Sequence, residues 1–205
     1  MFSLKSVVVG LTALAVPALC QTADQQAANY NDLSDKSAAL IPEVNKVAAT
    51  DAALFAAGQG QFPIINQGLA EIVTTGNTYV RQQQNAAPVA AGAESDTVVD
   101  AFSAFVKQHT DLMSALAEKA GLFTVAPFVG GPIVQVLILD ERVLDSLVFQ
   151  TINLVPSRSD EISNLGDSLS SAVRTAKTAY EGLQLGGTLV GRRNSEGRVA
   201  QVMVA

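Results

Sequence analysis

The chain has 205 residues, 48% of them hydrophobic, with 13 basic and 19 acidic side chains and a formal net charge of −6 at pH 7. A chain of this length can bury a core in one domain without disulfides or metals. The acidic balance argues against nucleic acid as a partner, because nucleic-acid-binding domains need a basic face.

The first twenty residues have the pattern of a secretory signal peptide. The basic residue Lys5 precedes an apolar run over 7–16, and the small residues Ala18 and Cys20 fit cleavage after Cys20. The run is too short to span a bilayer. Cleavage would leave a secreted protein that begins at Gln21 and has no cysteine. The loss of Lys5 would leave 12 basic against 19 acidic residues, a net charge of −7.

Helix-like spacing of apolar residues begins directly after this segment. A first helix is expected over about 24–57, with Pro42 kinking it or starting a new helix, because proline removes a backbone donor. After a break at 58–62, Pro63 suits the first turn of a second helix. A linker over 85–94 follows, and Ser95 is a suitable N-cap for a third helix. Three helices are therefore expected before residue 121.

The stretch 132–156, "PIVQVLILDERVLDSLVFQTINLVP", is ambiguous in type. Its start also fits a buried strand, since β-branched residues are enriched there. However, 23 residues run between the two prolines without a turn signal, which favours one helix. The charges of Asp140, Glu141, Arg142 and Asp145 exclude a membrane span. Because aliphatic residues cover about two-thirds of the circumference, we expect a fourth helix surrounded by other helices.

The fifth helix has the clearest periodicity. Ser159 can cap it, and its apolar residues form a single stripe from Ile162 to Leu183. No β-rich segment remains, so the sequence predicts an all-α fold: a single-domain, up-and-down bundle of about five amphipathic helices with an apolar interior. The domain is expected over 21–184, followed by a flexible C-terminal tail over 185–205. Arg192 and Arg193 in this tail fit either a dibasic processing site or an exposed basic pair.

The motif "GDSL" at 166–169 is the one sign of catalysis. In one esterase and lipase family this tetrapeptide carries the nucleophilic serine, which needs a base within reach and an exposed turn. Here Ser168 falls on the polar face of the fifth helix, and the single histidine, His109, lies far upstream. A zinc site would lack its usual ligands, and no phosphate-binding glycine loop occurs. We therefore predict a protein that is not an enzyme and needs no metal or cofactor.

The link between the third and fourth helices, "GLFTVAPFVGG" at 121–131, is unusually apolar for a loop. Its largest side chains are Phe123 and Phe128. The apolar residues of this link either plug the end of the bundle or form a lid, or an apolar contact surface, at the mouth of a lipid-binding cavity.

Three segments carry a resemblance to a known family. "DLMSALAEKAGLF" (111–123) is followed by "ILDERVLDSLVFQTINLVPS" (138–157) and then by "LSSAVRTAKTAY" (169–180). Over roughly 24–184 the chain resembles fungal hydrophobic surface binding protein A and the cell wall galactomannoproteins. The resemblance implies a secreted or wall-associated helical bundle that binds a long-chain fatty acid or another lipid. It also implies adsorption to hydrophobic surfaces and recruitment of a secreted, polyester-degrading hydrolase.

The lipid cavity implied by this resemblance would draw its wall from the third, fourth and fifth helices. The predicted wall residues are Phe105, Leu112, Leu116, Leu137, Leu144, Val148, Val173 and Tyr180, with Phe123 and Phe128 near the mouth. The same apolar stripes would serve a filled core equally well. The alternative function is therefore an extracellular or cell-wall structural or antigenic protein without a ligand.

His109 falls at the centre of the apolar face of the third helix. A buried imidazole or carboxylate without a partner is costly. If the third and fourth helices form an antiparallel hairpin, residues near 143 lie opposite His109. We therefore expect a structural polar pair between His109 and Asp140, with Glu141 and Asp145 as the other candidate acids. A ligand carboxylate or solvent are the alternative partners of His109.

Overall fold

The computed structural model describes residues 21–51, 54–55, 57–84, 86–122 and 127–202, without the side chains of 49, 127–129 and 182–202. Its α-helices are α1 (Ala23–Asn45), α2 (Gln61–Gln83), α3 (Ala93–Ala120), α4 (Pro127–Leu154) and α5 (Ser159–Val202). Short 3-10 turns lie at Ala49–Asp51 and Pro156–Arg158. These described residues contain no strand, which confirms the predicted all-α class.

The five helices pack side by side in a closed ring, in the order α1, α2, α4, α5, α3. Contacts between α1 and α2 run from Gln26–Gln83 to Leu40–Gly68, which makes this pair antiparallel. The α4–α5 pair is antiparallel as well, whereas α3 runs parallel to both α1 and α5. Helix direction therefore alternates along the chain, as expected for an up-and-down bundle.

The ring consists of two antiparallel hairpins, α1–α2 and α4–α5, joined through α2 and α4, with α3 closing the gap between α1 and α5. Helices α3 and α4 are antiparallel but face each other across the interior, and do not form the packed hairpin that the sequence suggested. The link from α2 to α3 crosses one end of the ring, where the Val89 N–H donates to the Leu154 carbonyl oxygen at 2.9 Å.

One continuous apolar core fills the interior. Tyr30 of α1 lies at its centre, with ring centroids 5.2 Å from Phe102 and 6.5 Å from Phe105 of α3. All five helices contribute other large, fully buried side chains, among them Leu33, Ile65, Leu69, Ile72, Leu112, Met113, Leu116, Leu137 and Tyr180. The predicted apolar interior is thus present.

Helix α1 ends at Asn45, well before the predicted end near 57. Pro42 lies in its last turn, where its missing N–H removes only the backbone bond to the Ala38 carbonyl oxygen, and the Lys46 N–H still donates to the Pro42 carbonyl oxygen at 3.1 Å. Lys119 of α3 then caps the carboxyl end, because its Nζ donates to the carbonyl oxygens of Asn45 and Val47 at 2.9 and 3.0 Å. Leu54, which the longer helix would have placed on its apolar face, is exposed.

Helix α3 begins with Gly92, and not Ser95, as its N-cap. Gly92 has a φ of 108°, a conformation that glycine adopts without strain. Ser95 lies in the first turn, where its Oγ accepts from the Gly92 N–H at 3.0 Å and donates to the Gly92 carbonyl at 2.7 Å. The serine that was predicted as the cap therefore stabilises the helix start from within the first turn.

Helix α4 begins at Pro127, inside the segment that was expected to be a linker, and contains Pro132. Its neighbours in the ring are α2 and α5, so its outer face is open to solvent. Leu139 and Phe149 are 48% and 62% exposed on that face. The expectation that other helices surround this helix is therefore wrong for its outer side.

The four central charges of α4 have different surroundings. Asp140 is buried and points inward, while Glu141 forms a half-buried ion pair with Lys177 of α5. Arg142 and Asp145 are exposed. Three of the four charges thus reach the surface of the ring. No helix in the part of the chain that the structure describes is both long and apolar enough to cross a membrane.

Helix α5 begins at Ser159, directly after the 3-10 turn, and continues to Val202. Its backbone is therefore helical through most of the segment 185–205, which was expected to be a tail.

Gly76 of α2 provides a test of the close contact between the two hairpins. A Cβ at this position would lie 2.6 Å from Cγ1 of Val143. We expect Gly76→Ala to lower the free energy of unfolding by about 1 kcal/mol in urea titrations, because overpacking outweighs the gain in helix propensity. Gly121→Ala is the matched control, since its Cβ would meet nothing within 4 Å. An equal loss in both variants would contradict the close approach of α2 and α4.

Candidate functional site

A buried polar cluster joins three helices in the middle of the ring. The Nε2 atom of His109 in α3 lies 2.9 Å from Oδ2 of Asp140 in α4, and its Nδ1 lies 3.0 Å from Oγ of Ser37 in α1. The three residues are 0%, 1% and 0% exposed, respectively. The structure therefore contains the polar pair expected from the sequence, together with a third member.

Helical periodicity places all three residues on inward faces. Ser37 lies one turn from the buried Leu33 and Leu40 in α1, and Asp140 lies between the buried Leu137 and Leu144 in α4. His109 follows Phe105 by one turn, and the two rings lie 5.5 Å apart. Each polar side chain thus interrupts an apolar stripe, and the three interruptions occur at the same height in the ring.

The hydrogen bonds of the cluster accommodate two protonation states of His109. The Ser37 hydroxyl carries one hydrogen and has two neighbours, the Leu33 carbonyl oxygen at 2.8 Å and the His109 Nδ1 at 3.0 Å. When the hydroxyl donates to Leu33, Nδ1–H can donate to Ser37 while Nε2–H donates to Asp140. When it donates to Nδ1, the imidazole is neutral. Neither state requires a heavy atom to move.

A serine, a histidine and an aspartate in hydrogen-bond contact form the constellation of a nucleophilic hydrolase. Here the order of the ring nitrogens is reversed, because the serine lies on Nδ1 and the carboxylate on Nε2. Ser37 also lies inside a helix, bonds back to Leu33 and has no exposed surface. A substrate cannot contact Ser37 in this arrangement, so the geometry favours a structural role for the cluster.

A second polar network lies closer to the end of the ring where α1 begins. Gln83 of α2 donates through Nε2 to Gln26 Oε1 and to the Tyr30 hydroxyl, both at 2.7 Å. Tyr30 is hydrogen-bonded in turn to Thr151 of α4, which donates to the Leu147 carbonyl at 2.6 Å. Burial raises the pKa of Tyr30 to about 12, although its two side-chain hydrogen bonds lower it in part. This network ties α1, α2 and α4 together.

The predicted wall residues of the lipid cavity lie together in the core. Those that are buried there are Phe105, Leu112, Leu116, Leu137, Leu144, Val173 and Tyr180, while Val148 is half-buried. The Tyr180 hydroxyl donates to the Leu116 carbonyl at 3.1 Å, and burial raises the Tyr180 pKa. Phe123 and the side chain of Phe128, expected at the mouth, lie outside the described residues. In the described core these side chains pack against one another.

A small depression lies elsewhere, at the start of α5. It has a volume of about 240 Å³ and is lined by polar and charged residues, Ser157 to Glu161. Neither its lining nor its position suits a long apolar ligand.

Ser168 of the "GDSL" motif lies on the outer face of α5, where its hydroxyl donates to the Asn164 carbonyl at 3.0 Å. His109 is buried in the interior on another helix. The motif therefore has neither the exposed turn nor the adjacent histidine that a catalytic serine requires. Within the described part of the chain, no group of three or more His, Cys, Asp or Glu side chains could hold a metal ion.

Sequence reasoning missed Ser37 and Thr151. Their signal in the sequence is a small polar residue inside an apolar stripe, but such residues commonly bond to the carbonyl one turn back and need no other partner. Both residues make that bond, to Leu33 and Leu147, in addition to the contacts across helices.

Comparison of the chain with protein-family models, curated proteins and solved structures finds no significant match in any of the three. The resemblance to the fungal surface-binding family therefore stays a prediction from the sequence.

Replacing Asp140 tests the energetic importance of the cluster. We expect Asp140→Ala to lower the free energy of unfolding by about 3 kcal/mol, because it leaves the buried Nε2 atom of His109 without a hydrogen-bond partner. Asp145→Ala, on the exposed side of the same helix, should change it by less than about 0.5 kcal/mol. Chemical denaturation followed by circular dichroism measures both. Similar losses of unfolding free energy in the two variants would show that the His109–Asp140 pair makes no specific contribution to stability.

Proposed function

We propose that this protein is a secreted, non-enzymatic protein that adsorbs to hydrophobic surfaces, in free or wall-associated form. The observation that carries the proposal is the outer face of α4. Leu139 and Phe149 are large, substantially exposed and only about 15 Å apart along the helix axis. They flank the exposed sector that holds Gln135, Arg142 and Ser146, so they lie about 80° apart around the helix axis on its outward side.

Adsorption through this face would gain free energy from dehydration. Fully burying a Leu or Phe side chain contributes about 1.5–3 kcal/mol. Adsorption can gain only the part of this free energy that corresponds to the exposed fraction of each side chain. Two such side chains on one rigid helix avoid most of the ordering cost that flexible segments would incur. Ile64 of α2 and Leu54 are further exposed apolar residues.

The enclosed geometry of the polar cluster supports a non-enzymatic role. Ser37, His109 and Asp140 are sealed in the core, and Ser168 lacks a neighbouring histidine. The role of recruiting a secreted hydrolase to a polyester surface belongs to the same proposal, since it would require adsorption and no chemistry by this chain.

Adsorption to an uncharged polymer tests the proposal directly. We expect Leu139→Ser/Phe149→Ser to adsorb at least about tenfold more weakly than the wild type on a quartz microbalance coated with polyester, because it removes the exposed apolar side chains. Ser146→Ala, on the same face, should adsorb like the wild type. High salt should leave adsorption unchanged, since the contact is apolar. Unchanged adsorption of the double variant, or its loss in salt, would contradict the role of this face.

A second candidate function is uptake of a long-chain fatty acid or another lipid into the interior. It is favoured by the position of seven predicted wall residues, which share one continuous apolar core between α3, α4 and α5. Each methylene moved out of water gains about 0.8 kcal/mol, so a long chain could offset the rearrangement of packed side chains. A protein that takes up no lipid would correspond to the filled-core alternative.

Leu144→Trp tests this second candidate. The residue is buried in α4, and the larger side chain should block uptake of oleate in native mass spectrometry. Leu139→Trp on the exposed face of the same helix is the control and should bind oleate like the wild type. Circular dichroism confirms that both variants fold. Uptake by a folded Leu144→Trp variant would place the ligand elsewhere, and no uptake by the wild type would leave only the surface function.

A further inference from the structure

Gln21 lies immediately before the N-cap of the first helix. The next residue, Thr22, is the N-cap of α1 and forms a reciprocal capping box with Gln25. The Gln25 N–H donates to Thr22 Oγ1 at 3.2 Å, and the Thr22 N–H donates to Gln25 Oε1 at 2.9 Å. This box holds residue 22 in place, so residue 21 is positioned directly at the amino end of the helix.

The two polar atoms of the Gln21 side chain differ in importance. Its Oε1 accepts a hydrogen bond from Nε2 of Gln26, a residue that is fully buried. Its Nε2 donates to Gln82 Oε1 at 2.6 Å, but Gln82 Oε1 also receives a bond from Asn29 Nδ2 at 3.2 Å. Loss of the oxygen would leave a buried amide without this acceptor, whereas loss of the nitrogen would leave Gln82 paired.

A free amino terminus at this position would be unfavourable. Cleavage after Cys20 would place an α-ammonium group one residue before the N-cap, where the helix macrodipole already presents partial positive charge. Asp24 in the first turn offsets this charge in part. A neutral group at residue 21 would remove the remaining repulsion.

We propose that the secreted protein carries pyroglutamate at residue 21, formed from Gln21. This modification rests on the secretion included in the proposed function. In the reaction the neutral α-amino nitrogen attacks Cδ of the same residue and forms the lactam C–N bond. The Cδ–Nε2 bond breaks, and Nε2 leaves as ammonia after taking up the proton of the attacking amine. No oxidant or other co-reactant is required.

Cyclisation fits the unequal importance of the two polar atoms of the Gln21 side chain. Cyclisation removes the dispensable nitrogen, retains the Gln21 oxygen as a lactam carbonyl and abolishes the terminal positive charge. The lactam carbonyl is the acceptor that we expect for Gln26 Nε2. The modified residue thus acts as a neutral cap for α1 and blocks digestion by ordinary aminopeptidases.

Mass spectrometry of the secreted protein tests the modification. We expect an amino-terminal peptide that begins at residue 21 and is lighter than the unmodified sequence by one ammonia. Treatment with pyroglutamyl aminopeptidase should then expose Thr22. A peptide that begins with unmodified Gln21 would overturn this inference alone. A peptide that begins elsewhere would overturn the inference together with the predicted cleavage site, while adsorption assays would still report on the proposed function.

A protein without the modification tests whether pyroglutamate at residue 21 stabilises the fold. The same chain produced in a bacterial cytosol with a methionine before Gln21 keeps the side-chain amide and a positive terminus. We expect its melting temperature to be about 1–4 °C lower than that of the pyroglutamyl protein at low salt, with a smaller difference at high salt. Gln82→Ala should leave the melting temperature of the secreted protein unchanged. Equal melting temperatures of the matched pair would overturn the capping role.

Discussion

The hydrogen-bonding requirement of His109 is the constraint on which the arrangement of the ring depends. An imidazole in a dry interior needs partners for two nitrogens that point in different directions. Ser37 supplies one from α1 and Asp140 supplies the other from α4. A shift of α3 by one turn would bury an unpaired imidazole and an unpaired carboxylate together. The apolar stripe of α3 would tolerate several positions, so the polar cluster selects one of them.

The sequence alone was sufficient to predict which faces of the helices point inward, and it predicted one polar contact, between His109 and Asp140. Asp140 could be distinguished from Glu141 and Asp145 because helical geometry turns it toward the aliphatic arc. Ser37 could not be identified, because it is 72 residues from His109 and nothing local marks it as a partner. The order of the helices around the ring could not be predicted from the sequence either, because amphipathicity determines which face of a helix is buried but not which other helix covers that face.

The outer face of α4 shows a related limit. Leu139 and Phe149 were counted with the aliphatic residues of a surrounded helix, because composition cannot distinguish a core side chain from an exposed one. In a ring of one layer every helix has an outer side, and apolar residues there require a different explanation from those inside. The interior is held by close contacts at Gly68 and Gly76, where side chains of neighbouring helices approach the backbone. The exposed side chains of Leu139 and Phe149 on the outer side of α4 are the feature on which the proposed surface function rests.

The parallel placement of α3 between α1 and α5 has a consequence for the entropy of folding. Side-chain contacts between α4 and α5 join residues 25 and 36 positions apart, so this hairpin can form from a local segment. On either side of α3 the partners lie 62 to 74 positions away. Closing such long loops costs chain entropy before any contact compensates for it, and high contact order slows folding. The contact of Gly76 with Val143, which joins the two hairpins, is equally distant in sequence. We therefore expect closure of the ring to be slower than formation of the α4–α5 hairpin, and until the ring closes the helices expose the apolar stripes that later form the core.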